Sequence, residues 1–352
     1  MLIDFDLPEA LIAKHPSDQR DGCKMLVFDR KSQKIQHIRF QDLPQIMDEN
    51  YLFILNNARV NPSRIFWSHQ GKKQEIVFLK NVLDAKTSSV WEAIVSGKGL
   101  KIHQPYEIQE GLSFTLKQER KNSIALIEIN QCKMVMEKIL DEKGQLPLPP
   151  YIVSKRRNDG DLDYTHADEQ NYQTIFNAKK GAVASPTAGL HFTNDTFENL
   201  KKKNIHWDFI HLSVGWGTFS PLTMHNFETQ KLHPEFCHLS TQVAQKILQQ
   251  KKQNKKILSV GTTTVRTLET WAQKGMSEDG FDGETDIFIY PPHHFLVSDA
   301  MLTNFHIPKS SLLLLVASFL GKGGEKKIIE LYQEAIAQNY RFYSFGDCML
   351  IL

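Results

Sequence analysis

Apolar positions recur along this chain with two different periods, and the change of period marks its organisation. Near the start, "KMLVFDR" and "YLFILNNARVNPSRIFW" read as strands separated by turn residues. From about Ser68 to Lys143 the texture is β-rich. "QEIVFLK", "VWEAIVSG", "LSFTLKQ" and "SIALIEI" follow one another between turns, with little helical periodicity. Short strands at that spacing predict a small barrel or sandwich. "GQLPLPPYI" (144–152) then reads as a rigid extended connector. Beyond it, "TFENLKKKN", "TQVAQKILQQKKQ", "TTTVRTLETWAQK", "PKSSLLLLVASFLGKGG" and "KKIIELYQEAIAQN" predict helices, with "IHWDFIHLSV", "KKILSV" and "TDIFIY" as strands between them. The expected fold is mixed α/β: a catalytic domain from 1–67 and 147–352, and an inserted β-barrel domain at 68–146.

Composition narrows the class. Of 352 residues, 41% are hydrophobic and 23% charged, which is a folded chain rather than a disordered one. Lys+Arg 42 against Asp+Glu 40 leaves +2. That balance does not announce a nucleic-acid binder, but it leaves room for a local basic face. Cys23, Cys132, Cys237 and Cys348 lie far apart without C-x-x-C, so no metal site is expected and a reducing compartment fits. The N-terminus is acidic early and lacks a basic n-region, unlike a secretory signal. "LLLLVASFL" is about half a membrane span. A cytoplasmic protein with no membrane partner is expected.

The chemistry-bearing stretches are weak one by one. "ASPTAGLHFT" (184–193) has Pro186 and Gly189 shaping a turn that brings His191 and Thr193 to one point; a plain connector with a satisfied histidine is the alternative. "ILSVGTTTVRTLE" reads strand, glycine, helix. Gly261 lets a ligand approach, Thr263 or Thr264 caps the helix, and the helix start favours an anion. It lacks the lysine of a phosphate loop, so an ordinary capped helix competes evenly. "SVGWGTF" has a lone G-x-G, more a turn than a dinucleotide fingerprint. "LHPEFCHL" groups His233, Glu235, Cys237 and His238, but neither H-E-x-x-H nor P-C-x-x-C is present, so it reads as polar lining of a cleft rather than a metal site. "LTNFHIPKSS" sets Asn304, His306 and Lys309 ahead of an apolar helix whose start can hold a carboxylate. The basic runs "SKRR", "KKK" and "KKQNKK" read as solvated faces. Together these loops point to an enzyme acting on a polar small molecule.

As a set, the stretches resemble one family. "FDLPEALIAKHP", "LNNARVNPSRIF", "LPLPPYI", "YQTIF", "ASPTAGLHFT", "VGWGTFSPL", "VGTTTVRTLE", "LTNFHIPKSSLLLLVASF" and "YRFYSFGDCMLI" are similar, in order and over essentially the whole chain, to the S-adenosylmethionine:tRNA ribosyltransferase-isomerases of queuosine biosynthesis. The resemblance implies a larger mixed α/β, barrel-like domain carrying a smaller inserted β-barrel. It also implies transfer and isomerisation of the ribosyl moiety of S-adenosylmethionine onto 7-aminomethyl-7-deazaguanine at position 34 of tRNA. Epoxyqueuosine-tRNA, adenine and methionine are the products. S-adenosylmethionine is then a consumed substrate, and no cofactor or metal is expected. The implied chemistry removes a proton from the 5′ carbon beside the sulfonium, loses adenine, adds the base's amine and closes an epoxide as methionine leaves.

The same resemblance nominates residues. His191 is the first choice as base, with His306 second and Glu235 third. Thr187, Thr193, Thr262, Thr263, Arg266, Glu269, Asn304, Lys309, Asn57, Arg59, Arg64 and Asp347 are its substrate-binding candidates, Lys309 toward the S-adenosylmethionine carboxylate. Three positions depart from the family pattern: Ser213 stands where a histidine is common, with His211 two residues earlier on the same strand face; Asn171 replaces an arginine; and Pro292-His293 replaces glycine-tyrosine. Two other readings share the sequence: a non-catalytic tRNA-binding protein, and an S-adenosylmethionine-dependent tRNA methyltransferase. A monomer is expected.

Overall fold

The computed structural model describes residues 2–118, 120, 124–215, 217 and 222–352. Its packing divides the chain into two units, Met1–Arg59 with Pro149–Leu352, and Val60–Leu148. The larger unit is a mixed sheet with helices, the smaller a β-sheet that curls toward closure.

Nine strands form the larger sheet, in the order Phe281–Ile287, Lys231–Leu239, His206–Leu212, Tyr51–Asn56, Lys256–Val260, Ala300–Asn304, Cys348–Ile351, Lys24–Phe28 and Ile35–Arg39. The four from His206–Leu212 to Ala300–Asn304 run parallel. Cys348–Ile351 then pairs antiparallel with Ala300–Asn304 and parallel with Lys24–Phe28. The central strands are buried almost throughout, which is why "YLFILN" and "KILSV" show continuous apolar runs instead of alternation.

Two helices start where the sequence places them. Ser240 and Ser310 accept hydrogen bonds from the amides of Val243 and Leu313, opening Thr241–Lys252 and Ser311–Phe319. Thr193 opens Asn194–Lys202 in the same way. The start of Thr262–Gln273 differs from expectation: its N-cap is Gly261 at φ 87°, not a threonine. A tight strand-to-helix turn needs that left-handed conformation, which glycine adopts without the Cβ clash. Thr264 instead donates back to Val260 O at 2.7 Å.

In the smaller unit six strands run in the order Arg64–His69, Lys72–Asp84, Ser89–Val95, Ile124–Ile129, Leu112–Leu116 and Pro105–Gln109. The two end strands also touch, so the sheet is barrel-like. Its interior holds Trp67, Phe78, Trp91 and Phe114. Here the expected boundaries need correction. Ser68 falls inside the strand Arg64–His69, and the break lies at Arg59/Val60 and Leu148/Pro149. The alternating burial of "RIFWSH" is already that of a barrel wall. The tract also contains a helix, Lys133–Lys143, whose Met136 and Leu140 cover the barrel core. "LPLPPYI" is extended only in part, because Pro150 occupies the first position of the helix Pro150–Asn158.

The run "SKRR" is not wholly a solvated face. Arg156 is fully buried and holds both carboxylate oxygens of Asp168 at 2.7 and 2.8 Å. Among the described residues, no helix is long and apolar enough to cross a membrane.

Candidate active site

A cleft opens beyond the carboxyl ends of the parallel strands Lys256–Val260 and Ala300–Asn304. Ligands bind α/β sheets in such places because strand ends and helix starts leave loops and unpaired amides there. Its volume is about 120 Å³, and it lies wholly within the larger unit.

Four stretches of sequence supply its walls. "ASPTAG" contributes Ser185 and Thr187, and the helix start contributes Gly261, Thr262 and Thr263. "TNFHI" contributes Thr303, Asn304 and His306, and "FYS" near the C-terminus contributes Tyr343 and Ser344. Tyr151, Tyr172, Val214, Ser310 and Leu312 add to the lining. Asn304 ties several of these together. It accepts from Thr187 Oγ1 at 2.9 Å, and its amide nitrogen lies 3.3 Å from both Tyr343 O and His191 Nε2.

The two histidines differ in placement. His306 lines the cleft, with Nε2 2.8 Å from Thr303 Oγ1. Burial pushes the His306 pKa down to about 3, which keeps the ring neutral. His191 does not line the cleft. Its Nδ1 meets Cys23 Sγ at 3.2 Å and its Nε2 meets Asn304, so both ring nitrogens face protein. Burial opposes its protonated form, but Cys23 and Asp347 outweigh burial and its pKa is raised. Of the two, His306 is the histidine that lines the cleft.

Glu235 is likewise away from the cleft lining. It forms a buried ion pair with Arg266 and accepts from the Gly215 amide at 2.7 Å. "LHPEFCHL" is a strand, with Glu235 and Cys237 on the inward face. The Arg266 atoms Nε and Nη2 are buried without hydrogen-bond partners. Glu269 accepts three backbone amides, from Leu296, Val297 and Ser298. Asp347 accepts those of Lys24 and Arg341. Both carboxylates pin loops.

Thr193 caps its helix and donates to Asp21 at 2.8 Å, so the "HFT" turn sends its histidine and threonine to different places. Thr193→Ala is expected to cost about 1 kcal/mol of stability, with an unchanged KM for the small substrate; denaturant midpoints beside kinetics check this. Lys309 is exposed at φ 60° and pairs with Asp4. Asn57 sits at the end of the strand Tyr51–Asn56 with a buried, unpartnered Oδ1, and Arg59 is exposed. Arg64 belongs to the smaller unit, paired with Glu75. Of the departures, Ser213 Oγ lies 2.9 Å from His211 Nε2, and burial lowers the His211 pKa to about 4. Much of "GWGTFSP" (Trp216 and 218–221) lies outside the described residues.

The sequence missed Tyr151, Tyr172, Ser185, Tyr343 and Ser344. Tyr172 Oη and Ser185 Oγ are buried in the wall without hydrogen-bond partners among the described residues. A polar ligand would satisfy them.

A family described as queuosine biosynthesis protein matches residues 2–351. The chain belongs to that family. Relatives from Desulfitobacterium hafniense and Aquifex aeolicus, each 38% identical, are named S-adenosylmethionine:tRNA ribosyltransferase-isomerase; the matches cover 99% of this chain and 98% of each relative. The crystal structure of an S-adenosylmethionine tRNA ribosyltransferase from Thermotoga maritima is 30% identical, with 99% of each chain covered and a TM-score of 0.56. The mixed α/β reading holds, and family members match this chain from end to end rather than over one unit.

Proposed function

We propose that this chain transfers and isomerises the ribosyl moiety of S-adenosylmethionine onto 7-aminomethyl-7-deazaguanine in tRNA. Adenine and methionine are released. The observation that carries the reading is the cleft at the strand ends, in a chain matched along its whole length by ribosyltransferase-isomerases. The sulfonium makes the 5′ C–H acidic, so the protein needs a neutral base beside a cation and a site that excludes water. His306 answers the first requirement and the aromatic wall of Tyr151, Tyr172 and Tyr343 the second. His191 acts through Asn304 as a positioning residue, and Glu235 with Arg266 holds the Gly215 turn.

S-adenosylmethionine brings its own activation, so the reaction takes no separate cofactor. Among the described cleft-lining residues, His306 is the one side chain of a common metal-ligand type. The enzyme works in the cytoplasm, where its tRNA is, and as a monomer, since one chain builds the cleft. Turnover by purified protein given only S-adenosylmethionine and substrate tRNA tests the first point; turnover that requires an added organic or redox cofactor would contradict it.

The smaller unit contributes to gripping RNA, an assignment supported by exposed Lys72, Lys73, Lys98 and Lys101 around the aromatic residues Trp67, His69 and Tyr106. Affinity for tRNA is expected to fall as a power of salt concentration, with each lost lysine–phosphate contact lowering the slope by about 1. Binding titrations of Lys72→Glu and Lys98→Glu at several salt concentrations measure this; unchanged slopes would remove the smaller unit from the RNA contact.

A further inference from the structure

We propose that Cys23, His191 and Cys348 form a zinc-binding site, one residue removed from the cleft wall. Three distant segments converge there: Cys23 just ahead of the strand Lys24–Phe28, His191 at the end of the short helix Thr187–His191, and Cys348 opening the strand Cys348–Ile351. The pairing of Met25 with Cys348 sets two of them side by side. All three are buried, and their Sγ, Sγ and Nδ1 atoms lie within 4.8 Å of one another. The expectation of no metal site rested on spacing in sequence alone.

The donor set suits zinc. With Zn–S near 2.3 Å and Zn–N near 2.0–2.1 Å, a tetrahedral ion sets its ligand atoms about 3.5–3.8 Å apart. Cys23 Sγ and His191 Nδ1 already stand 3.2 Å apart, so closure needs only small side-chain shifts. Two thiolates and a neutral imidazole balance Zn²⁺, giving a neutral site that tolerates burial. Asp347 lies adjacent, each of its carboxylate oxygens accepting one backbone amide.

The second coordination layer is also present. A ligating imidazole usually has its other nitrogen held by a hydrogen-bond partner, and His191 Nε2 faces Asn304. Binding through Nδ1 puts the proton on Nε2, which then needs an acceptor. Asn304 must turn its amide oxygen to His191, on the wall where it meets Thr187. Zinc at this site therefore fixes the orientation of a cleft residue and ties together the two ends of the larger unit, without contacting substrate.

The test uses the full chain, reduced and stripped of metal, titrated with cobalt(II) and then zinc. One equivalent of cobalt is expected to give thiolate-to-metal charge-transfer absorption with tetrahedral d–d bands, and zinc to abolish both. Zinc should raise the thermal midpoint by several degrees and release protons, because both cysteines bind as thiolates. Cys23→Ala and Cys348→Ala should lose the charge-transfer band, while Cys132→Ala and Cys237→Ala keep it. No uptake by the reduced wild-type chain, or a band that survives both Cys23→Ala and Cys348→Ala, would overturn the proposal. Should either of those variants fail to fold, the wild-type proton release and cobalt spectrum still decide it.

Discussion

Replacing His306 with alanine is expected to lower turnover by about 10²–10⁴-fold, while S-adenosylmethionine affinity changes little. His306 lines the cleft, with Thr303 holding its ring through Nε2. Burial lowers its pKa to about 3. That weakens the base, but it keeps the ring neutral beside a sulfonium, whose like charge disfavours imidazolium further. The sign follows directly. The base must be unprotonated, and its pKa lies far below neutrality, so kcat/KM should stay level from pH 7 down to pH 5. A base at the ordinary histidine value of about 6.5 would lose roughly tenfold per pH unit below it. Loss of the 5′ hydrogen from S-adenosylmethionine, followed in His306→Ala and His191→Ala, separates base from positioning residue. Near-normal loss in His306→Ala would move the base elsewhere.

The second large effect is on stability. Glu235→Ala leaves the Arg266 guanidinium buried without its counter-charge, and two Arg266 nitrogens, Nε and Nη2, already have no hydrogen-bond partner among the described residues. Breaking such a pair costs about 3–5 kcal/mol. Replacing both partners together, as Glu235→Leu with Arg266→Met, should recover most of that loss, because no charge then remains buried. Denaturant unfolding of the two variants checks it. Equal destabilisation by the single and double changes would show that the pair acts through more than its charges.

Much of the larger unit was legible because its signals are local. The serines before "LLLLVASFL" and "VAQKIL" cap real helices, and the apolar runs "KILSV" and "YLFILN" are central parallel strands. The boundary at Ser68 was misplaced because "RIFWSH" looks alike as a strand of either sheet; only its partners decide. The same limit applies to the site. Motifs marked the cleft's segments, but not which side chain of each faces it. His191 and Thr193 lie two residues apart, yet one meets Asn304 and the other caps a helix. Tyr343 and Ser344 reach the wall through a turn at φ 73° that no periodicity announces. The cluster of Cys23, His191 and Cys348 was invisible for the opposite reason: its members are far apart in sequence, Cys23 and His191 by 168 positions, and only the fold brings them together.

The most direct measurement is the product analysis of this protein incubated with S-adenosylmethionine and tRNA carrying 7-aminomethyl-7-deazaguanine. Equimolar adenine and methionine, with the ribosyl carbons recovered as epoxyqueuosine in the tRNA, is the predicted result. Formation of S-adenosylhomocysteine, or tRNA binding with no turnover of S-adenosylmethionine, would contradict it.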